Sequence, residues 1–557
     1  MAKGFFRELK HYKLSDISME LNIEAEETKR LIGILKKYGI VKAVKASKPE
    51  YEDLSNQDII LTDVVENNLE IQYVFDFVGV VMLEGYVFKC YPKYISSTVK
   101  PIEQLKKVLK VNKKYNDKEQ LVYLFNGQDD NKIFNRLAVS LYLLEDYFQY
   151  GIYTNQHDVI EINGEGEILW DKTINETFAL LQNNRPYYVE LQTQNLVDDD
   201  ADYIKSLHEC VLTQCTLELK KAGILELFDI AEVELTGCCL NEFGDVDYIK
   251  YRLNQELHSQ FITRKQTLLK TIYTYVANEN VEQDNLSFSL YGTNSFNLIW
   301  EKVCAINFGS VLNKKLYELP LELSEDYESR KNKRLIDIID KPHWHRRLPY
   351  VGDAKGDTLK PDLICIYPCS DKEYCFGIYD AKYYCIDFKE IDGKSKVTGQ
   401  PGVNDVTKQY LYQLAYDDFI TKQGYKYVQN MFFCPQESAE PDYGYVEMKM
   451  LHTIGGKTLQ NIAVVKLCAE EMYDLYLQNK QITDITAYIP AVATKRICNS
   501  NFANRMMAYL KGITEASQEA QIRMEMRSEK GKIIYPKQIK RELGAKLIYD
   551  AICPIAS

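Results

Sequence analysis

Residues 359–384 read LKPDLICIYPCSDKEYCFGIYDAKYY, and the fold turns on how this stretch divides. Leu363 to Tyr367 is an apolar run behind Pro361-Asp362. Pro368 to Glu373 has turn composition, and Tyr374 to Tyr379 is a second apolar run that ends in Asp380-Ala381-Lys382. Two short apolar runs split by Pro, Ser and Asp predict a hairpin of buried strands. Side chains alternate along a strand, so Asp380 and Lys382 share one face and Ala381 takes the other. Asp362 stands at the mouth of the first strand, and a hairpin of this length brings it close to Asp380.

Two carboxylates and an ammonium at one sheet edge suit phosphodiester hydrolysis. Carboxylates are hard oxygen ligands for Mg²⁺, which activates water and steadies a pentavalent phosphate. The lysine orients or deprotonates that water. Seventeen residues separate Asp362 from Asp380, which is the PD-(D/E)xK pattern of nucleases. As a bare string the pattern arises often by chance, and the plainer reading is a hairpin with a surface salt bridge. Its meaning depends on context. Here both halves lie on strand-like runs with helical segments on either side.

Working outward, SFNLIWEKVCAINFGSVL at 295–312 predicts a helix with an apolar face of Phe296, Ile299, Trp300, Val303, Cys304 and Phe308. Glu301, beside Trp300, is a candidate third acid and metal ligand; the plainer reading is an exposed helix carboxylate. Between 330 and 360 nine Lys and Arg stand against four Asp, a positive approach to Asp362 or a solvated loop. His343-Trp344-His345 and Cys365-x3-Cys369 lack the partners a zinc site needs. Lys389 to Asn404 reads as a loop. DVTKQYLYQLAYDDFITK, 405–422, reads as a helix with Lys408, Gln409, Tyr412, Gln413 and Tyr416 at neighbouring i, i+4 positions. Gln409 and Gln413 are candidate supporting residues that contact phosphate or fix Lys382. YVQNMFFCP and YGYVEMKML read as strands, and Thr458 to Gln478 as a helix.

The amino-terminal part has a different character. Residues 1–50 carry eleven Lys and Arg against seven Asp and Glu. LSDISMELNI and EAEETKRLIGILKKYG predict two helices, with Ser15 as the first cap and Gly39 as the second stop. That is helix-turn-helix spacing, and a small protein-interaction domain fits it equally. Residues 51–70 read as a linker, IQYVFDFVGVVMLEGYVFKCYPKYI as a β-meander, and 99–120 as a Lys-rich helix. In HDVIEINGEGEILWDKTINET, Asn163-Gly164 and Glu165-Gly166 mark tight turns, with Glu161, Glu165 and Glu167 as solvated carboxylates. Residues 200–280 read as helices.

The whole chain, 557 residues, exceeds what one core holds, since cores rarely grow past roughly 250–300 residues. The expected fold is multidomain α+β: a helix-turn-helix-like region at 1–57, an α+β docking region at 58–284, an α/β nuclease domain at 285–480, and a helical, basic extension at 481–557. The net charge of −12 argues against free-standing non-specific DNA binding, so DNA contact rests on local basic surface or on a partner. No run reaches the ~18 apolar residues of a membrane span, and fourteen scattered cysteines read as reduced thiols. The expected location is the cytoplasm.

The chain resembles the LlaJI-type restriction endonuclease family, related to the nuclease component of McrBC-type GTP-dependent systems. The carriers are FDFVGVV (75–81), YPKYI (91–95), NGEGEILWDKTI (163–174), NLIWEKVC (297–304), KPDLI (360–364), IYDAKYY (378–384) and KQYLYQLAY (408–416). The resemblance implies a Mg²⁺-dependent PD-(D/E)xK subunit acting on double-stranded DNA with an McrB-like AAA+ GTPase, its acids and lysine falling on Asp362, Asp380 and Lys382, with Glu301 as a further acid. No G-x-x-x-x-G-K-[ST] loop occurs, so the nucleotidase is expected on another chain. The rival reading is a non-catalytic adaptor built on a degenerate nuclease fold. Three intact charges at one edge weigh against it.

Overall fold

The computed structural model describes residues 2–54, 59–60, 71–96, 101–116, 125–126, 133–198, 202–278, 288–344, 356–370, 373–391, 394–440, 442–451, 453–454, 457–488 and 494–496. The architecture is mixed α+β with several sheets.

The motif stretch forms the hairpin. Strands Leu363–Ser370 and Glu373–Ala381 pair antiparallel, with Leu363 opposite Tyr379. The second strand then pairs parallel with Tyr427–Gln436, which pairs parallel with Ile462–Cys468. Asp442–Val446 closes the far edge antiparallel, and Thr494–Arg496 joins the start of Tyr427–Gln436. Helices Phe296–Asn307 and Ala469–Leu477 cover one face, burying Trp300, Val303 and Met472 against Leu363, Tyr379 and Phe433. Helix Val403–Gln423 and the segment from Val311 to Ile339 cover the other, over Ile364, Phe376 and Ile378. Burial on both faces is why these strands read as continuous apolar runs.

The amino-terminal segments build a second body. Helices Leu14–Leu21 and Ala25–Lys37 lie between strands Lys3–Arg7 and Val41–Lys45. Lys3–Arg7 pairs parallel with Tyr86–Tyr91, in a four-stranded sheet with Val78–Leu83 and Phe288–Thr293. Val41–Lys45 pairs with Ile71–Phe75. Phe6, Ile17, Leu31 and Leu35 therefore share one core with Phe75, Phe88 and Phe288. Gly79 faces Gly292 across this sheet, both at positive φ. A Cβ on either would lie 2.2 Å from a backbone carbonyl of the opposite strand, so FDFVGVV requires a glycine there.

Helices Ile102–Asn116, Arg136–Tyr150, Tyr203–Ala222, Val246–Ser259 and Thr263–Ala277 pack as a largely helical layer. A small lobe projects between them. Strands Gln156–Ile162, Glu167–Ile168 and Gln192–Asp198 form its sheet, with helix Trp170–Glu176 and hairpin Ala179–Gln182/Arg185–Tyr188 inserted before the last strand. Asn163 sits at positive φ in the expected Asn-Gly turn. No helix among the described residues is long and apolar enough to cross a membrane.

Three local expectations give way. Thr458 to Gln478 is not one helix: Ile462–Cys468 is an interior strand and the helix begins only at Ala469. A strand buried on both faces has no period-two signature, so its apolar run is indistinguishable from a buried helix. Lys389 to Asn404 is not simply a loop, because Asp387–Ile391 and Lys394–Thr398 form a hairpin. Ser15 is not the cap of its helix; Lys13 is, and Asp16 accepts from the Lys13 amide at 2.9 Å. The expected extension at 481–557 lies outside the described residues from 497 onward, as does most of the 51–70 linker.

Candidate active site

The hairpin register sets the geometry. Leu363 stands opposite Tyr379, so the next pair outward is Asp362 with Asp380. The Asp362 carboxylate accepts from the Ala381 amide at 2.9 Å, which pins it across the strand end. Ala381 packs into the core beneath the helices at 296–307 and 469–477, while Asp380 and Lys382 meet on the opposite face, with Nζ 2.9 Å from the Asp380 carboxylate. Asp380 is almost wholly buried and Lys382 about one-fifth exposed. A buried carboxylate at this depth requires a paired charge, and Lys382 supplies it.

Electrostatics bind the group together. The Asp362 carboxyl is pushed up to about 9, by burial first, then by its hydrogen bond to Asp380 and the charges of Asp380 and Glu301, with Lys382 pulling the other way. Two acids this close cannot both ionise freely. Burial works to lower the Lys382 pKa, but Asp380, Asp405 and Asp362 outweigh it and hold the ammonium. Glu301 is raised, again by burial first; Lys382, Asn297 and Lys360 lower it and Asp380 raises it. Asp362, Glu301 and Lys382 therefore each respond to the charge of Asp380.

Glu301 reaches this edge from the other side of the sheet. Its helix is anchored by Trp300, whose indole donates to the Phe433 carbonyl at 3.1 Å. The Lys382 amide donates to the same carbonyl at 2.9 Å. One backbone oxygen thus ties the helix of Glu301 to the strand of Lys382.

Gln409 and Gln413 lie elsewhere in this arrangement. Gln409 is fully buried and donates to the carbonyls of Ile378 and Met431, clamping two parallel strands. Gln413 accepts from Asn430, which also donates to the Gln409 carbonyl. Both glutamines spend these bonds on the helix–sheet seam and not on the carboxylates. One acid of the group was not singled out from sequence, and one tyrosine of the expected helical row joins it. Asp405 lies 3.2 Å from Lys382, and Tyr412 faces the pair closely enough to feel both acids and the lysine. Asp405 looks like an ordinary first-turn helix acid, a position favoured by the helix dipole, so no sequence signal marks it.

Among the described residues no group of three or more His, Cys, Asp or Glu is gathered to enclose a metal ion. The donor chemistry nevertheless fits a hard cation. The candidate ligands are all carboxylate oxygens, and a divalent charge at the pair would offset the burial and like-charge repulsion that raise Asp362. Cys365 is no ligand candidate, since its thiol is buried and donates to the Phe308 carbonyl.

A sheet-edge pair of acids with a lysine, flanked by helices on both faces, has the chemistry to hold a hard cation and to meet phosphate charge. Residues 77–470 match the LlaJI restriction endonuclease family, and the chain belongs to it. The Type II restriction enzyme BsuMI component YdjA of Bacillus subtilis strain 168 is 27% identical over 458 residues, spanning 79% of this chain and 90% of that protein. A refined half-complex from the tetradecameric assembly of Thermococcus gammatolerans McrB AAA+ hexamers with bound McrC matches at 12% identity and TM-score 0.31, over 86% of this chain and 99% of that one. The cryo-EM structure of the Thermococcus gammatolerans McrBC complex matches at 14% and 0.20, over 54% and 85%. At these scores neither superposition establishes a common fold.

Proposed function

We propose that this restriction endonuclease family member is the nuclease subunit of its system and hydrolyses DNA phosphodiester bonds at Asp362, Asp380 and Lys382. The observation that carries the reading is the Asp362–Asp380 pair with Lys382 at 2.9 Å. Asp362 and Asp380, with Glu301 assisting, would hold Mg²⁺, which supplies a Lewis acid for phosphate and water when bound. Mg²⁺ is commonly held by one or two carboxylates, with water and phosphate completing its shell, so a closed three-acid cage is not required. Lys382 presents a fixed ammonium at the edge to orient water and meet phosphate charge. Gln409 and Gln413 keep the helix on the sheet beneath it. Asp380→Ala and Lys382→Ala test the assignment. Each removes charge at a strand end and little packing, so the expected result is folded protein with cleavage reduced by orders of magnitude. Full cleavage by Asp380→Ala in Mg²⁺ overturns it.

The proposed partner is an AAA+ GTPase, with docking carried before about residue 285. The projecting lobe supports this, because Phe178, Leu180, Leu181, Tyr187 and Val189 are all more than half exposed. Leu180 stands opposite Tyr187 across the hairpin, and large apolar side chains left exposed on one small lobe mark a contact surface. Phe178→Asp with Leu181→Asp in the full chain should abolish stimulation of the partner's GTPase and leave the fold unchanged. Unchanged stimulation removes the docking assignment and leaves the nuclease site standing.

A further inference from the structure

Resting on that nuclease reading, we propose that Asp405 and Tyr384 are positioning residues for Lys382, and that Lys93 of the amino-terminal body seats them. Asp405 offers its two oxygens to different partners. Oδ1 lies 3.2 Å from Lys382 Nζ, and Oδ2 accepts from the Tyr384 hydroxyl at 3.4 Å. Tyr384 is bound to the lysine through the backbone as well, donating its amide to the Lys382 carbonyl at 2.9 Å. The Lys93 ammonium stands 4.8 Å from the centroid of the Tyr383 ring and 5.6 Å from that of Tyr384. It is itself buried and held by Asp53 at 2.8 Å, while Glu8 accepts from both the Lys93 amide and the Tyr383 hydroxyl. A buried ammonium persists only where such partners pay its desolvation.

The chemical consequence lies in what Asp380 can do at any one time. Lys382 has two carboxylate partners, Asp380 and Asp405. Were Asp380 to hold a cation, Asp405 would remain the lysine's ion-pair partner among the described residues, with Asp362 adding a longer-range charge. A lysine stem loses much rotamer freedom when fixed, so one surviving anchor decides where Nζ stands. Asp405 sits in the first turn of the helix at 403–423, whose clamp on the sheet is Gln409. Its position is therefore set by the same seam that sets the strands. The amino-terminal body, through Lys93, becomes part of the scaffold of the active edge.

The test uses the full chain assembled with its partner GTPase, comparing Asp405→Ala, Asp405→Asn and Tyr384→Phe with Asp380→Ala as the control. Cleavage kcat and KM are measured, with DNA affinity by fluorescence anisotropy in EDTA and urea unfolding for each variant. Asp405→Ala should lower kcat about ten- to hundredfold with KM and EDTA affinity within about twofold, since misplacing a reacting group by about 1 Å has that effect. Asp405→Asn should recover part of the rate, because its amide oxygen still accepts from the ammonium. Tyr384→Phe, which removes one oxygen and no packing, should lower kcat several-fold and decides the matter if Asp405→Ala does not fold. Wild-type kcat in both Asp405→Ala and Tyr384→Phe, or a loss carried wholly by KM, overturns the proposal when Asp380→Ala is inactive. Cleavage by Asp380→Ala instead overturns the nuclease site on which it rests.

Discussion

Asp362→Asn should stabilise the metal-free protein. In the wild type the carboxyl is pushed up to about 9 from 3.8 on folding, so the folded state holds a proton that the unfolded chain releases. The unfolded state then binds fewer protons between those values, and stability falls as pH rises through that window. Below about pH 4 both states are protonated and the penalty vanishes. At pH 7 the offset from 3.8 is about 3 units, which at about 1.4 kcal/mol per unit sets a ceiling of roughly 4 kcal/mol. Asp362 is partly solvated and the pair relaxes, so the expected gain is about 1–3 kcal/mol. Asparagine retains an oxygen to accept from Ala381 and a donor for Asp380, so the hydrogen bonds of the protonated acid survive. The assay is urea unfolding in EDTA at about pH 4, 6 and 8, with a gain that grows with pH. Mg²⁺ should stabilise wild type and have little effect on the variant. A neutral or destabilising substitution at pH 8, or a gain independent of pH, would refute the account of a carboxyl kept protonated by burial and then by its acidic neighbours.

Gly79→Ala should destabilise the amino-terminal sheet by several kcal/mol or prevent folding, since its Cβ would sit 2.2 Å from the Tyr291 carbonyl; a Tm equal to wild type contradicts this. Glu8→Gln should flatten the pH dependence of stability between about 4.5 and 7, because burial pushes this carboxyl up to about 7 and the neutral amide still accepts from Lys93; curves parallel to wild type tell against it. The chain alone should bind DNA weakly at about physiological salt given its net charge of −12, and tight sequence-specific binding without a partner would contradict this.

The hairpin was legible in the sequence because its two runs are short, apolar and bounded by Pro, Ser and Asp. Alternation then dictates that Asp380 and Lys382 share a face and that Asp362 approaches from the other strand, and register bears this out. Covalent spacing and strand geometry are local quantities, so a string of residues contains them. The helix carrying Glu301 and the Asn-Gly turn of the lobe were readable for the same reason. What tertiary structure alone decided is everything that arrives from a distance. Asp405 meets Lys382 because a helix beginning some twenty residues later is clamped onto the strands by Gln409, a glutamine that reads in sequence as contacting phosphate or fixing Lys382 and that the fold buries as a brace between strands. Ile462–Cys468 reads as helix because burial on both faces erases the period that distinguishes a strand. Lys93 lies 289 residues before Lys382 in the chain, yet packs against the two tyrosines that follow it. Spacing in sequence records which side chains a strand presents together; which of them acquire a partner from another element is settled by packing, where desolvation demands one and the fold supplies it.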